Sequence, residues 1–180
     1  MLMRAETSAL IVIDVQERLC PVMDDPRRVL FNGARLLKGA ALLEVPVLCT
    51  EQYPKGLGPT MIDLRDLLPE GAVIEKTRFG SWDEAPFRDH WQALGRSQAV
   101  ICGTEAHVCV LQTALGMRAA GVEVFVVTDA CGSRRPESEA AALARLSAAG
   151  CHPVTTEMAL FEWLGGKAHP RFKDINALVR

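Results

Sequence analysis

Six short runs of apolar, largely β-branched residues, separated by longer stretches of helical periodicity, constrain this chain more than any other feature. The runs cover residues 9–13, 45–50, 72–75, 98–102, 122–128 and 152–155. They are nearly continuous in apolar character and do not alternate, which is the pattern of strands covered on both faces. Helical periodicity occupies 27–44, 106–120 and 137–149. In the last of these Ala140, Leu143, Ala144 and Ser147 share one face, and Pro136 stands where a first helical position would be. Gly121 and Gly150 follow the second and third patterns, where a C-terminal glycine belongs. Two shorter patterns, 160–164 and 172–179, read as closing helices. Such alternation predicts parallel strands joined by right-handed crossovers, hence an α/β fold in the form of a three-layer α/β/α sandwich. Residues 51–69 carry Pro54, Gly56, Gly58 and Pro59 and read as a long loop of the kind that covers binding sites. Residues 79–87 form a second irregular stretch, broken by Pro86. No repeat or linker divides the chain, so residues 1–180 are expected to form one domain.

Charge and cysteine usage narrow the function classes. A net charge of -2 offers no basic stripe, so no nucleic-acid or membrane partner is expected. No apolar run reaches membrane-spanning length. Residues 1–7 lead into the first strand without the features of a secretory leader, so a cytoplasmic address is expected. Six cysteines without a C-x-x-C pair suggest neither a zinc knuckle nor a thioredoxin-type motif. Taken singly, each reads as a small buried hydrophobe.

In open parallel sheets ligands bind beyond the carboxyl ends of the strands, which makes the residues just after each run informative. Asp14 follows the first run, Lys76 the third, and Gly103-Thr104-Glu105-Ala106-His107-Val108-Cys109 the fourth. Each has a bland reading: a turn-capping aspartate, a solvated lysine, a packed thiol. Together they place an acid, an amine and a thiol on one rim, where a helix start and an ammonium favour thiolate. Asp14 could then move the thiol proton while Lys76 holds the carboxylate, with backbone N–H groups facing an oxyanion. His107 lies two residues before Cys109, a spacing that does not face it, and His90, His152 and His169 have no reason to approach it. The G-x-G-x-x-G of a dinucleotide site is missing after the first run, where Asp14-Val15-Gln16-Glu17-Arg18-Leu19 stands.

These residues resemble the isochorismatase-like hydrolase superfamily, the cysteine hydrolases. Three blocks carry the resemblance: Leu10-Ile11-Val12-Ile13-Asp14-Val15-Gln16, Glu75-Lys76-Thr77-Arg78-Phe79, and Gly103 to Val110. Within it the chain is similar to isochorismatase domain-containing proteins, in residues 50–58, in Asp129-Ala130-Cys131-Gly132-Ser133-Arg134, and in His169-Pro170-Arg171-Phe172-Lys173. The resemblance implies a six-stranded parallel sheet in the order 3-2-1-4-5-6 and a catalytic triad of Asp14, Lys76 and Cys109. It also implies a non-proline cis peptide at Thr104–Glu105, an oxyanion held by the N–H groups of Glu105 and Cys109, and a homo-oligomer, dimeric or larger. Relatives that are nicotinamidases bind a metal through Asp-x-His; here Glu51-Gln52-Tyr53 stands in that place and no histidine precedes His90, so neither metal nor cofactor is expected.

Because isochorismatases proper can lack the cysteine, Cys109 points to C–N hydrolysis of a small amide through a thioester. Vinyl ether or ester hydrolysis on the same scaffold is the first alternative, and an idle scaffold that keeps the pocket is the second. Gln16, Glu51, Gln52, Tyr53, Phe79 and Trp82 are the expected substrate-binding residues, suited to a planar or apolar group.

Overall fold

The computed structural model describes residues 1–180. In chain order the elements are β1 (Ser8–Ile13), α1 (Pro26–Leu42), β2 (Val47–Gln52), the single-turn α2 (Pro54–Leu57) and α3 (Ile62–Arg65), then β3 (Val73–Lys76). α4 (Ala85–Leu94), β4 (Gln98–Thr104), α5 (Leu111–Ala119), β5 (Glu123–Gly132), α6 (Pro136–Ala148), β6 (His152–Val154), α7 (Thr156–Leu164) and α8 (Phe172–Leu178) complete the chain. The six strands form one sheet in the order β3-β2-β1-β4-β5-β6, as the resemblance implied. Every pairing is parallel.

Apolar runs without alternation are required here because each central strand feeds two cores. Leu10, Val12, Val100, Phe125 and Val127 face a layer built with Leu36, Leu37, Leu160 and Trp163 of α1 and α7. Ile11, Ile13, Ile101, Val124 and Val126 face the opposite layer, with Phe87 and Trp91 of α4, Met117 of α5 and Leu146 of α6. All six residues of β1 and all seven of β4 are buried. Local signals start the helices that close these layers. Asp25 caps α1 by accepting from the Arg28 N–H at 3.0 Å, with Pro26 at the first position. Asp129 accepts from both the N–H and the hydroxyl of Thr156, tying the start of α7 to β5.

Three expectations are corrected. The helical pattern at 106–120 is two pieces, a π-helical turn over Ala106–Val110 and then α5. The apolar run gives no sign of that change, since both helix types bury the same small residues. Pro86 does not break an irregular stretch; it occupies the first turn of α4, where its missing N–H is not needed. The stretch from residue 51 is not loop throughout, because Glu51 and Gln52 finish β2 in register with Glu75 and Lys76.

The sheet order reverses between β1 and its neighbours β2 and β4, which places their carboxyl ends side by side. Gly103 makes the closest approach possible. Its φ is +125°, and a Cβ there would lie 2.1 Å from the Ile13 carbonyl oxygen.

Candidate active site

Asp14 is the first residue beyond β1 and is closed to solvent. Its backbone is left-handed, φ +50°, a conformation that aspartate tolerates better than most residues. The turn is held from both flanking strands: the Asp14 N–H donates to the Thr50 carbonyl at 3.1 Å, and the Thr104 hydroxyl donates to the Asp14 carbonyl at 2.7 Å. The Thr50 hydroxyl donates to Oδ1 of the carboxylate at 2.6 Å. Thr50 was not anticipated as a site residue, and Thr104 was expected at the cis peptide but not as a support for Asp14. Their signal was register, since Thr50 pairs with Ile13 and Thr104 ends the strand on the other side.

Lys76 ends β3 and is buried rather than solvated. Its Nζ donates to Gln52 Oε1 at 2.7 Å, to the Arg78 carbonyl at 3.1 Å and to the Phe79 carbonyl at 3.0 Å. Those three acceptors use an ammonium's three N–H bonds. The same Nζ lies 2.7 Å from Asp14 Oδ2, yet Oδ2 receives no hydrogen bond. At that distance the two groups form a close ion pair inside the protein.

Cys109 sits in the π-helical turn, 4% exposed. Burial pushes its thiol up to about 12, with the Asp14 charge adding to the rise and Lys76 opposing it. This corrects the expectation of a thiolate favoured by helix and ammonium. At neutral pH a thiol so raised keeps its proton, with the charges of Asp14 and Lys76 both acting on it. The peptide between Thr104 and Glu105 is cis. The Glu105 N–H has no acceptor within the fold. Of the histidines, His107 Nδ1 lies 2.9 Å from the Ser133 hydroxyl, and His90, His152 and His169 find partners in Pro86, Glu123 and Arg171.

The expected substrate residues divide. Gln16 ties the loop to β2: Nε2 donates to the Gln52 and Gly58 carbonyls, and Oε1 accepts from the Gln52 N–H. Glu51 Oε1 accepts from the N–H and hydroxyl of Thr60. Gln52 orients Lys76 and donates to the Thr77 carbonyl. These contacts make the three residues part of the wall, with Gln16 tied at both ends of its amide and Glu51 and Gln52 each held through part of theirs. Trp82 packs edge-on against Phe87 with ring centroids 6.4 Å apart. Tyr53 and Phe79 are exposed, and Tyr53 borders a hollow of about 400 Å³ that reaches Lys76. No group of three or more His, Cys, Asp or Glu side chains is arranged to hold a metal ion. No helix is long and apolar enough to cross a membrane.

Comparison with known families matches the isochorismatase domain over residues 8–158. The chain belongs to the isochorismatase family. Isochorismatase domain-containing protein 2A of Mus musculus is 37% identical, covering 97% of this chain and 84% of its own length. Among solved structures, the MAR1 ribonuclease from Caenorhabditis elegans superimposes with a TM-score of 0.94 at 33% identity, over 99% of this chain and 92% of that one. YcaC from Pseudomonas aeruginosa, solved with hexane-2,5-diol and covalent acrylamide, has a TM-score of 0.94 at 26% identity, over 99% of this chain and 90% of that one. Family membership makes the protein an isochorismatase-like cysteine hydrolase acting on small amide or ester substrates.

Proposed function

We propose that the protein hydrolyses a small-molecule amide at its C–N bond through a thioester on Cys109, with Asp14 as the proton carrier and Lys76 as the residue that fixes it. The observation that carries this reading is the buried pairing of Asp14 Oδ2 with the Lys76 ammonium at 2.7 Å, next to the buried thiol of Cys109. A thiol pushed up to about 12 cannot supply its own thiolate near neutrality, so proton removal belongs in the same step as attack. The thiol proton passes to Oδ2 as Sγ bonds to the substrate carbonyl carbon. The carbonyl oxygen becomes an oxyanion that accepts from the N–H groups of Glu105 and Cys109. The oxyanion collapses, the C–N bond breaks, and the leaving amine takes the proton from Asp14. Water then gives a proton to Asp14 and its hydroxide bonds to the thioester carbon. Collapse of this second oxyanion expels Sγ, which recovers the proton.

Lys76 holds the Asp14 carboxylate in place as its ion-pair partner at 2.7 Å, and is itself anchored by Gln52 Oε1 and the Arg78 and Phe79 carbonyls. The covalent acrylamide of the Pseudomonas relative, a molecule whose electrophile is its vinyl carbon, supports access of a compound of that size in this fold. A ribonuclease reading, suggested by the name of the Caenorhabditis relative, has less support. A net charge of -2 offers little to a polyanion, and no histidine pair faces the site. A cytoplasmic setting and a homo-oligomeric state complete the proposal. Both rest on the sequence and the family.

Mass spectrometry during turnover of a slow aliphatic amide tests the reading. The wild type should carry the acyl mass on the peptide containing Cys109, and Cys109→Ala should carry none and release no ammonia. Turnover by the alanine protein would overturn it.

A further inference from the structure

Two of the acceptors that hold the Lys76 ammonium are main-chain oxygens, those of Arg78 at 3.1 Å and Phe79 at 3.0 Å. Both belong to a segment without regular structure: β3 ends at Lys76, and Thr77, Arg78 and Phe79 are exposed to solvent. Exposed irregular backbone is the part of a fold that fluctuates most, unless something ties it down. A buried charge therefore depends on carbonyls that no strand or helix fixes.

The tie is Glu84. Its Oε1 accepts from the Arg78 N–H at 2.8 Å, from the Thr77 N–H at 2.9 Å and from the Thr77 hydroxyl at 3.2 Å. Hydrogen bonds to an ionised carboxylate are about twice as strong as neutral ones. The Arg78 amide first, and then that of Thr77, hold the Glu84 carboxyl below its ordinary 4.5, so the anchor is charged at neutral pH. Glu84 itself does not move with the segment. It stands immediately before α4, which is sunk into the core through Phe87 and Trp91, and its carbonyl accepts from the Arg88 N–H at 3.2 Å. From the opposite side Gln52 Nε2 donates to the Thr77 carbonyl at 2.7 Å.

We propose that Glu84 is a positioning residue: by fixing the Thr77 and Arg78 amides it aims the Arg78 and Phe79 carbonyls at Lys76, and so keeps the ammonium beside Asp14. The inference rests on the role given above to Lys76 and adds the residue that maintains it. The Glu84 carboxylate bonds to Thr77 and Arg78 alone, so it acts on the site only through the segment between.

Alkylation of Cys109 by iodoacetamide, followed by peptide mapping, tests this without a substrate. Burial and the Asp14 charge raise the Cys109 thiol and Lys76 opposes them, so Lys76→Met should slow labelling by about tenfold or more. Glu84→Ala should slow it by about threefold or more. Glu84→Gln, which keeps an acceptor oxygen, should stay within about twofold of wild type. Glu84→Ala added to Lys76→Met should change nothing further, because the two act along one path. A merely structural role gives the opposite sign, since a loosened fold exposes a buried thiol and speeds its labelling. The proteins are compared at a temperature where circular dichroism shows them folded. Labelling of Glu84→Ala at the wild-type rate or faster, or further slowing in the Lys76→Met background, would overturn the positioning role and leave the hydrolase reading intact. A Lys76→Met protein that labels as fast as wild type would overturn the reading itself.

Discussion

Asp14 Oδ2 and Lys76 Nζ approach to 2.7 Å in a region closed to solvent. The lysine is held by an amide and two carbonyls, and the carboxylate by the Thr50 hydroxyl on its other oxygen. A buried ion pair is thus fixed on both sides, and its carboxylate has little freedom to move.

Removing one partner of such a pair leaves an uncompensated buried charge, at a cost of about 3–5 kcal/mol. Lys76→Met should therefore lower the thermal transition strongly, and adding Asp14→Asn should recover much of the loss. Activity should behave differently. Each single variant should lose orders of magnitude in kcat, the double variant little more than either, and none should be rescued. Losses that multiply would separate the two residues into independent roles.

Labelling with iodoacetamide distinguishes coupled proton removal from a preformed thiolate. The Asp14 charge raises the Cys109 thiol further, so Asp14→Asn by itself eases ionisation. If thiolate were the resting form, the asparagine variant would label faster than wild type. If the carboxylate removes the proton during attack, labelling of Cys109 near neutral pH should fall by tenfold or more. Peptide mapping of the alkylated cysteine decides between them.

The fold was readable because its signals are periodic and strong: six runs, glycines after helices, and Pro136 at a helix start. Asp14, Lys76 and Cys109 were readable because strand ends in a parallel sheet converge, and each sits just beyond or at one. Three things were not. The direction of the thiol shift depends on how deeply Cys109 is buried, which spacing does not reveal. The occupied state of the Gln16 amide depends on a loop closing over it, through Gly58 and Gln52. Arg134 sits in a block that resembled the family without a role attached, and only its reach to Glu105 gives it one.

Folding stability should fall as the solution is made alkaline. Burial holds the thiols of Cys49, Cys109 and Cys131 up to about 12, against an ordinary value of 9.0, and Cys102 is also raised well above that value. The unfolded chain loses these protons first, so above pH 9 it binds fewer protons than the native state. The stability slope against pH is then negative. The contribution is whole below about pH 9 and is lost as pH rises towards 12. Denaturant titrations at pH 7, 9 and 10.5 should show this decline, and Cys131→Ala should flatten it. An unchanged slope in that variant would show that the decline comes from other groups.

Two glycine substitutions should differ sharply, although both residues have positive φ. Gly165 terminates α7 with φ +73°, and an added Cβ would meet nothing within 4 Å. Gly165→Ala should cost about 1 kcal/mol, the price of a left-handed alanine. Gly103 has φ +125°, and its Cβ would meet the Ile13 oxygen at 2.1 Å and the Ile13 nitrogen at 2.7 Å. Neither atom can yield, because both belong to the buried backbone of β1 immediately before Asp14. Gly103→Ala should therefore cost more than about 3 kcal/mol, combining backbone strain with displacement of the strand. Its effect on activity should exceed its effect on folding, because β1 can move aside only by carrying Asp14 away from Lys76. Thermal denaturation and turnover measured at a temperature where the variant remains folded will show whether the two losses part in this way. A folded Gly103→Ala protein with wild-type kcat would mean that the β1–β4 contact does not set the position of the carboxylate.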